Sequence, residues 1–258
     1  MPRRRRGWLD GSCYHITHRC HERRFLLKFA KYRDAYVRRL GELRRRFGVS
    51  VLDYMVTSNH VHLLIHAVKG ERISPALQFL HGQTAQAYNR TKDREGAFWS
   101  NRFHATRIQS GAHLGRCLFY IDLNMVRARV VEDPADWEHT AYHEFVGARK
   151  RNRIVDMPRL LKVLSMGNAD LVSFRDWYLR TLATKLACIE HRREPYWTQA
   201  LAVGNEAWLR DTAKKAGMRR CPLRQSESGE LNYLYDRKCP GKKRSIAYIP
   251  HFAPSLFR

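Results

Sequence analysis

The stretch VSVLDYMVTSNHVHLLIHAV at residues 49–68 decides the fold of this chain. Residues 49–57 and 60–68 form two runs rich in β-branched and apolar side chains, and the pair Ser58-Asn59 between them suits a hairpin turn. We therefore predict two antiparallel strands here.

The second of these runs has two different faces. A period of two places Val61, Leu63 and Ile65 on one apolar face, which should be core. The opposite face presents His60 and His62 side by side, close enough to share one metal ion. Histidine pairs also occur on solvated strand faces, so metal binding needs support from elsewhere in the sequence.

Outward from the hairpin, the hydrophobic pattern predicts a regular series of elements. In chain order they are a strand at residues 14–17, a helix at 30–47, the hairpin, a helix at 74–90 capped by Ser74 with Pro75 at its first position, a strand at 102–109 and a helix at 113–129. This β-α-β-β-α-β-α order predicts an α+β fold, a ferredoxin-like or RRM-like antiparallel sheet with helices on one face.

The character of the sequence changes in its second half. We place a boundary near residue 150, which gives a core domain at residues 1–150 and a mostly helical extension at 151–258. Helical patterns occupy residues 158–164, 174–189 and 205–216. From Arg219 onward, Arg, Lys, Gly and Pro prevail, which indicates either a basic C-terminal arm or a solvated tail.

The charge balance points to a polyanionic partner. The chain has 48 Lys and Arg against 24 Asp and Glu, a formal net charge of +24. Nucleic acid suits this best, because each neutralised phosphate releases condensed counterions. An anionic membrane is the alternative, but no stretch reaches about 18 apolar residues and no apolar signal region follows the basic start. We expect a cytoplasmic, nucleoid-associated protein with no membrane partner.

The cysteines form no Cys-x-x-Cys pair, which suits a reducing cytoplasm. Near the start of the chain, five possible zinc ligands lie close together in the sequence: Cys13, His15, His18, Cys20 and His21. Strand alternation divides this group, however, because Cys13 and His15 would face one way and His18 and Cys20 the other.

The predicted helix at residues 113–129 has one narrow, wholly polar stripe. The stripe holds His113, Arg116, Tyr120, Asn124 and Arg127. Tyr120 therefore need not be a core aromatic, although a buried tyrosine with a tethered hydroxyl is the alternative. Asn124 lies one turn later, so a metal held by its carbonyl oxygen would sit close to the Tyr120 hydroxyl.

These residues combine into one chemistry. A tyrosine with a pKa of about 10 is a poor nucleophile at neutral pH and needs a metal-polarised phosphate or a local base. The histidine pair would supply the metal and the basic surface would hold the nucleic acid. The sequence thus indicates metal-assisted phosphodiester transesterification through a phosphotyrosine.

Four segments resemble a known family. Residues 58–64, SNHVHLL, resemble the HUH signature, and residues 120–128, YIDLNMVRA, resemble the tyrosine-bearing helix motif of the REP-associated tyrosine transposases, or RAYTs. Residues 14–19, YHITHR, and 98–103, FWSNRF, resemble two further segments, so the likeness covers about residues 10–147.

The resemblance implies an HUH nuclease fold and a single-tyrosine transposase that cuts and rejoins single-stranded DNA near REP-like hairpins. Tyr120 would be the nucleophile, linked to the 5′ phosphate while a 3′ hydroxyl is released. His60 and His62 would be metal ligands and Asn124 would complete the site, with Mg²⁺ or Mn²⁺ as cofactor. Ligand softness favours Mn²⁺ for two imidazoles. The resemblance also favours a monomer over a homodimer.

Two positions depart from the family pattern. Met125 follows Asn124 where the family usually has proline, and Cys20 follows Arg19 where it usually has glycine. Loss of the proline would change the helix below Tyr120, and loss of the glycine would change a backbone approach to DNA.

Basic side chains near the motifs are candidates for DNA binding. They are Arg3, Arg4, Arg5, Arg6, Arg102, Arg107, Arg116 and Arg127. Trp99 and Phe103 would either stack on an unpaired base or pack in the core. Two other functions stay open: a catalytically silent nucleic-acid-binding module, and a metal hydrolase in which water is the nucleophile and Tyr120 is structural.

Overall fold

The computed structural model of the chain describes residues 7–189, 194–217 and 221–235. The basic run Arg3, Arg4, Arg5 and Arg6 lies outside these residues, as does most of the predicted C-terminal arm. The described part of that arm, residues 221–235, carries two short strands rather than an irregular tail.

The first half of the chain contains the predicted elements in the predicted order. They are β1 (Ser12–Arg19), α1 (Ala30–Phe47), β2 (Val49–Val56), β3 (His60–Ala67), α2 (Ile73–Thr91), β4 (His104–Ile108) and α3 (Ala112–Asp122). Helix α1 ends where Gly48 takes the left-handed conformation, φ 66°, and its N–H bonds back to the carbonyl of Arg44.

The strands form the predicted antiparallel sheet. Strands β1 to β4 lie in the order β2-β3-β1-β4, and each neighbouring pair is antiparallel. This order confirms the ferredoxin-like fold. Val61, Leu63 and Ile65 are fully buried, as the alternation predicts.

The sheet has helices on both faces. The prediction of helices on one face holds for α1 and α2: Tyr36 of α1 bonds through its hydroxyl to His81 of α2 at 3.1 Å, and His81 meets His18 of β1 at 3.0 Å. Helix α3 lies against the opposite face, where the ring of Tyr120 is 5.9 Å from that of His62. Both faces of the sheet are therefore buried.

Two local predictions were wrong. Ser74 does not cap α2, which begins at Ile73 without a side-chain cap; its hydroxyl instead accepts a hydrogen bond from the Trp8 indole at 2.7 Å. The helix predicted at residues 113–129 breaks at Leu123 (φ −84°, ψ 6°) and resumes as α4 (Asn124–Arg127).

The extension is built from short helices and short strands. Its elements, with the preceding connection, are α5 (Tyr142–Phe145), α6 (Met157–Val163), α7 (Leu171–Ala187), α8 (Tyr196–Gln199), β5 (Ala202–Gly204), α9 (Glu206–Lys215), β6 (Leu223–Gln225) and β7 (Asn232–Leu234). Strand β5 pairs in parallel with β4, so β5, β7 and β6 extend the sheet to seven strands.

One hydrophobic cluster runs through both halves of the chain. Phe174, Tyr178 and Trp197 of the extension belong to the same buried cluster as Ile16 of β1 and Leu118 of α3. The predicted boundary near residue 150 therefore lies within a continuous core of the described residues. Within them no helix is both long and apolar enough to cross a membrane.

Candidate active site

Strand β3 brings the two predicted histidines together. His60 and His62 lie on the same face of the strand, with ring centroids 4.9 Å apart. The pairing of β3 with β1 sets Thr17 opposite His62. His15, two residues earlier on β1, is then the diagonal neighbour of His62 on the same face.

The hairpin turn holds His60 in one orientation. Its Nδ1 lies 2.8 Å from the Thr57 hydroxyl and 2.7 Å from the side-chain oxygen of Asn59. The Thr57 hydroxyl gives its own proton to the His60 carbonyl at 2.9 Å, so it accepts from Nδ1. His60 is therefore protonated at Nδ1, and its Nε2 keeps a lone pair.

His62 contacts a polar group at each ring nitrogen. Its Nδ1 lies 2.9 Å from Nε2 of His15, and its Nε2 lies 3.4 Å from the side-chain amide of Asn124. Asn124 is the first residue of α4, so the helix break at Leu123 comes directly before the residue that faces His62.

Helix α3 positions Tyr120 beside the histidines. Tyr120 is 8% exposed, and its ring centroid is 5.9 Å from those of His15 and His62. On another side, the ring centroid of Trp197 lies 5.9 Å from that of Tyr120. The guanidinium of Arg127 lies 4.3 Å from the centre of the Tyr120 ring and donates to the Tyr120 carbonyl. The ring is thus held between fixed neighbours.

The four predicted site residues share one cavity. His60, His62, Tyr120 and Asn124 all line a cavity of about 500 Å³. A second cavity of about 500 Å³ lies beside it, on the side of the extension. Tyr120 and Arg127 line both cavities. The tyrosine therefore stands between two spaces.

Burial keeps the histidine pair neutral. It lowers the pKa of His60 to about 3, and the positive charge of Arg19 adds to the effect. The pKa of His62 is lowered well below its ordinary value, again mainly by burial and further by His60 and His15. Neutral imidazoles are the form that binds metal ions.

The donor set fits a divalent metal. His60 offers Nε2 with a lone pair, and Nε2 of His62 lies 3.4 Å from the side-chain nitrogen of Asn124. The oxygen of the same amide would be the third ligand. Two imidazoles and one amide leave room for water and phosphate oxygens, which suits Mn²⁺ or Mg²⁺. Among the described residues no group of three His, Cys, Asp or Glu could hold a metal, so a site here depends on Asn124.

The early cysteines and histidines form no zinc site in the part of the chain that the structure describes. His15 faces His62, whereas His18 faces α2 and meets His81 at 3.0 Å. The alternation that divided this group in the sequence therefore divides it in the fold. Trp99 stacks on His18 at 4.4 Å, so its ring serves core packing.

The candidate DNA-binding arginines divide into two groups. Arg102 and Arg127 line the cavity of the histidines, and Arg116 lines the neighbouring cavity, 3.4 Å from a carboxylate oxygen of Glu230. Arg107 lies on the other face of the sheet, where it donates to the Thr212 hydroxyl at 2.9 Å. The expectation that Arg107 lies near the site is wrong, because it pairs with Tyr14 on β1 and not with the face of His15.

Sequence reasoning missed His15 and Trp197 as parts of the site. His15 is wholly buried, and its Nδ1 lies 2.9 Å from the carbonyl oxygen of Trp197 in α8. These two residues are 182 positions apart. No local pattern in the sequence could have joined them.

Comparison with known proteins identifies the matched part of the chain. Residues 10–124, which include β1 to β4, α3 and all four predicted site residues, match the model of a protein family. That family is described as "Transposase IS200 like". The motif-based resemblance is thereby confirmed for these residues.

Two solved structures are similar to the chain. One is a REP-associated tyrosine transposase bound to a REP hairpin, with 21% identity, coverage of 60% of this chain and 90% of that one, and a TM-score of 0.48. The other is a putative transposase from Deinococcus radiodurans, with 17% identity, coverage of 40% and 84%, and a TM-score of 0.31. The comparison with curated proteins found no match.

Proposed function

We propose that this protein is a metal-dependent endonuclease and transposase that cuts and rejoins single-stranded DNA near REP-like hairpins. The observation that carries the proposal is the meeting of Tyr120, His60, His62 and Asn124 around one cavity of about 500 Å³. The transposase family of residues 10–124 supports DNA as the substrate, and the net charge of +24 fits a polyanion.

In this proposal Tyr120 is the nucleophile. Its oxygen forms the bond to phosphorus, and the bond from phosphorus to the 3′ oxygen breaks. The tyrosine loses its proton and the leaving strand gains one, ending in a 3′ hydroxyl. The 5′ phosphate stays on Tyr120, which conserves the bond for rejoining.

The histidines and the amide would hold the metal. His60 and His62 offer nitrogen and Asn124 offers oxygen. A bound divalent ion would polarise the scissile phosphate and stabilise the charge that develops on it. The contribution of the chain is to keep both imidazoles neutral and fixed, which the hairpin turn does for His60 through Thr57 and Asn59.

The surroundings of Tyr120 suit a strand that passes through the site. Because the ring stands between two cavities, the nucleotides on either side of the cut phosphate each have space. Arg127 lines both cavities, so it is the candidate contact for the phosphate under attack. We further propose that the protein works at the nucleoid, where this substrate lies.

A monomer is sufficient for this chemistry. Helix α3 packs on the sheet of its own chain, so Tyr120 and His62 meet within one molecule at a ring distance of 5.9 Å. A dimer that exchanges tyrosine helices is not needed to complete the site. This supports the monomer that we propose.

The silent binding module is the second candidate. The basic character of the chain favours nucleic-acid binding with or without cleavage. The enzyme has the better support, because a binding module has no use for a tyrosine, two neutral imidazoles and an amide around one cavity. A hydrolase that uses water would share the metal ligands but would not attach DNA to Tyr120.

Covalent capture separates the three functions. The purified protein is incubated with labelled single-stranded hairpin DNA from its own genome and Mn²⁺ or Mg²⁺, beside Tyr120→Phe and His62→Ala. A denaturation-resistant adduct with the wild type alone supports the transposase. Cleavage without an adduct supports the hydrolase, and binding without cleavage supports the silent module.

A further inference from the structure

A buried chain of hydrogen bonds links the extension to the candidate metal site. The carbonyl oxygen of Trp197 lies 2.9 Å from Nδ1 of His15, and Nε2 of His15 lies 2.9 Å from Nδ1 of His62. All three residues are buried, with 0% exposure for His15 and 2% for His62. This series of hydrogen bonds joins α8, β1 and β3.

The carbonyl fixes the tautomer of His15. A carbonyl oxygen can only accept, so Nδ1 of His15 carries a proton and donates it to Trp197. A second proton on the same ring would make a fully buried cation, and its two ring nitrogens face a carbonyl oxygen and an imidazole nitrogen, neither of which carries a negative charge. Burial of an unpaired charge is costly. His15 is therefore neutral, and its Nε2 accepts.

The tautomer of His15 then fixes that of His62. Because Nε2 of His15 accepts, Nδ1 of His62 must donate, and the proton of the second ring is on Nδ1. Nε2 of His62 keeps a lone pair on the side of Asn124, whose amide is 3.4 Å away. A free neutral imidazole carries its proton on either nitrogen, so these hydrogen bonds select one of the two tautomers of His62.

We propose that His15, held by the Trp197 carbonyl, is a positioning residue that sets His62 in the tautomer ready to bind a divalent metal. This proposal builds on the metal role of His62 in the proposed function. It also gives the extension a part in the site, because Trp197 lies beyond the matched transposase residues 10–124.

The tautomer can be measured without any metal or DNA. Long-range proton-nitrogen NMR correlations of the wild type, with ¹⁵N-histidine and with the His62 signals assigned from His62→Ala, report which ring nitrogen carries the proton. The expected result is a proton on Nδ1 and a bare Nε2. A proton on Nε2 of His62 would overturn the proposal.

Metal binding gives a second readout. Mn²⁺ alone is titrated into the protein and followed by electron paramagnetic resonance. His15→Leu keeps the bulk but removes the acceptor, so it should weaken Mn²⁺ binding by about 10- to 100-fold, as loss of a partner behind a metal ligand does. His15→Gln keeps a carbonyl that can accept from His62 and should recover most of the loss.

A neighbouring variant serves as the control. Thr106→Val removes a hydroxyl that donates to the same Trp197 carbonyl at 3.1 Å but leaves the histidine chain in place. It should bind Mn²⁺ like the wild type. The proposal would be overturned if His15→Leu bound Mn²⁺ as tightly as the wild type, or if His15→Gln bound it as weakly as His15→Leu. If the leucine variant does not fold, the NMR result on the wild type decides.

The metal role of His62 and the positioning role of His15 can be tested separately. A wild type that binds no Mn²⁺ while His62 shows a proton on Nδ1 would overturn the metal role in the proposed function and leave the histidine chain standing. A wild type that binds Mn²⁺ with His62 protonated on Nε2 would overturn the role of His15 alone.

Discussion

At the scale of single residues, the site depends on how each side chain is held. Strand alternation was enough to predict that His60 and His62 share a face, because a period of two is a local property. The partner of His62 could not be predicted in the same way. His15 reaches it only through the register of β1 against β3, which local sequence does not specify.

Asp53 has a buried carboxyl group whose ionisation should affect the stability of the protein. Both of its carboxylate oxygens are buried without a hydrogen-bond partner among the described residues. Burial raises its pKa well above the ordinary value, and Asp122 and Glu144 add to the effect. Burial also raises the pKa of Asp122 to about 7.

A raised carboxyl pKa makes the folded state hold protons that the unfolded state releases. This contribution to stability is present at low pH and is lost as the pH rises through the raised pKa of the folded state. Asp53→Asn removes it, so the variant should gain on the wild type as the pH rises from 5 to 8, by about 1.4 kcal/mol in the free energy of unfolding for each pH unit over which folded Asp53 stays protonated.

Urea denaturation of both proteins at pH 5 and pH 8 checks this prediction. The difference between the two proteins is the useful quantity, because buried histidines act in the opposite direction: the pKa of His15 is lowered to about 3. An identical pH dependence for Asp53→Asn and the wild type would show that Asp53 ionises normally.

At the scale of elements, the helices and strands of five residues or more followed from the sequence, whereas the elements of three or four residues and the break in the tyrosine helix did not. The apolar periodicity of Leu118, Ile121 and Met125 continues across Leu123, so nothing local signals the break there. Three-residue strands such as Ala202–Gly204 are too short to show alternation. Strand β5 depends instead on its pairing with the edge of β4.

At both positions that depart from the family motifs, the local backbone accommodates the residue that is present. Met125 is buried as the second residue of α4, and the helix breaks before it without a proline. Cys20 has φ −61° and ψ 150°, an extended conformation open to any residue. The left-handed backbone occurs instead at Glu22 and Arg23, with φ of 52° and 60°.

The close packing around Gly204 in strand β5 leads to a testable prediction. A β-carbon there would lie 2.5 Å from Cε3 of Trp208 and 2.7 Å from Oε1 of Gln109. Gly204→Ala should therefore lower the free energy of unfolding by about 1–3 kcal/mol, because neighbouring groups must move. Thermal and urea denaturation measure the loss.

A second glycine provides the matched control. Gly82 lies inside α2, and a β-carbon there would meet nothing within 4 Å. Gly82→Ala should stabilise the protein by about 0.5–1 kcal/mol, since alanine loses less backbone entropy than glycine in a helix. A stabilised Gly204→Ala would mean that β5 does not approach α9 as closely as described.

At the scale of the whole molecule, charge and topology act together. The net charge of +24 draws a polyanion to the surface as a whole, but only some of the arginines lie at the cavities. The sequence predicted the partner class from composition, since charge is additive. It could not separate Arg102 from Arg107, because which face a residue occupies depends on the sheet.

Salt dependence distinguishes these two arginines. Arg102→Ala should weaken binding of single-stranded DNA and reduce the slope of log affinity against log salt by about 0.7, the share of one phosphate contact. Arg107→Ala should leave the slope unchanged, because Arg107 donates to Thr212 on the other face. Fluorescence anisotropy over a salt series measures both, and equal slope changes would contradict the placement.

Mass spectrometry can locate the residue to which DNA becomes covalently attached. After reaction with a single-stranded hairpin, nuclease and trypsin digestion should yield the peptide of residues 117–127, CLFYIDLNMVR. Tyr120 is its only tyrosine, and it contains no serine or threonine. We expect a 5′-phosphonucleotide on Tyr120. Attachment to another residue, or cleavage that leaves this peptide unmodified, would contradict it.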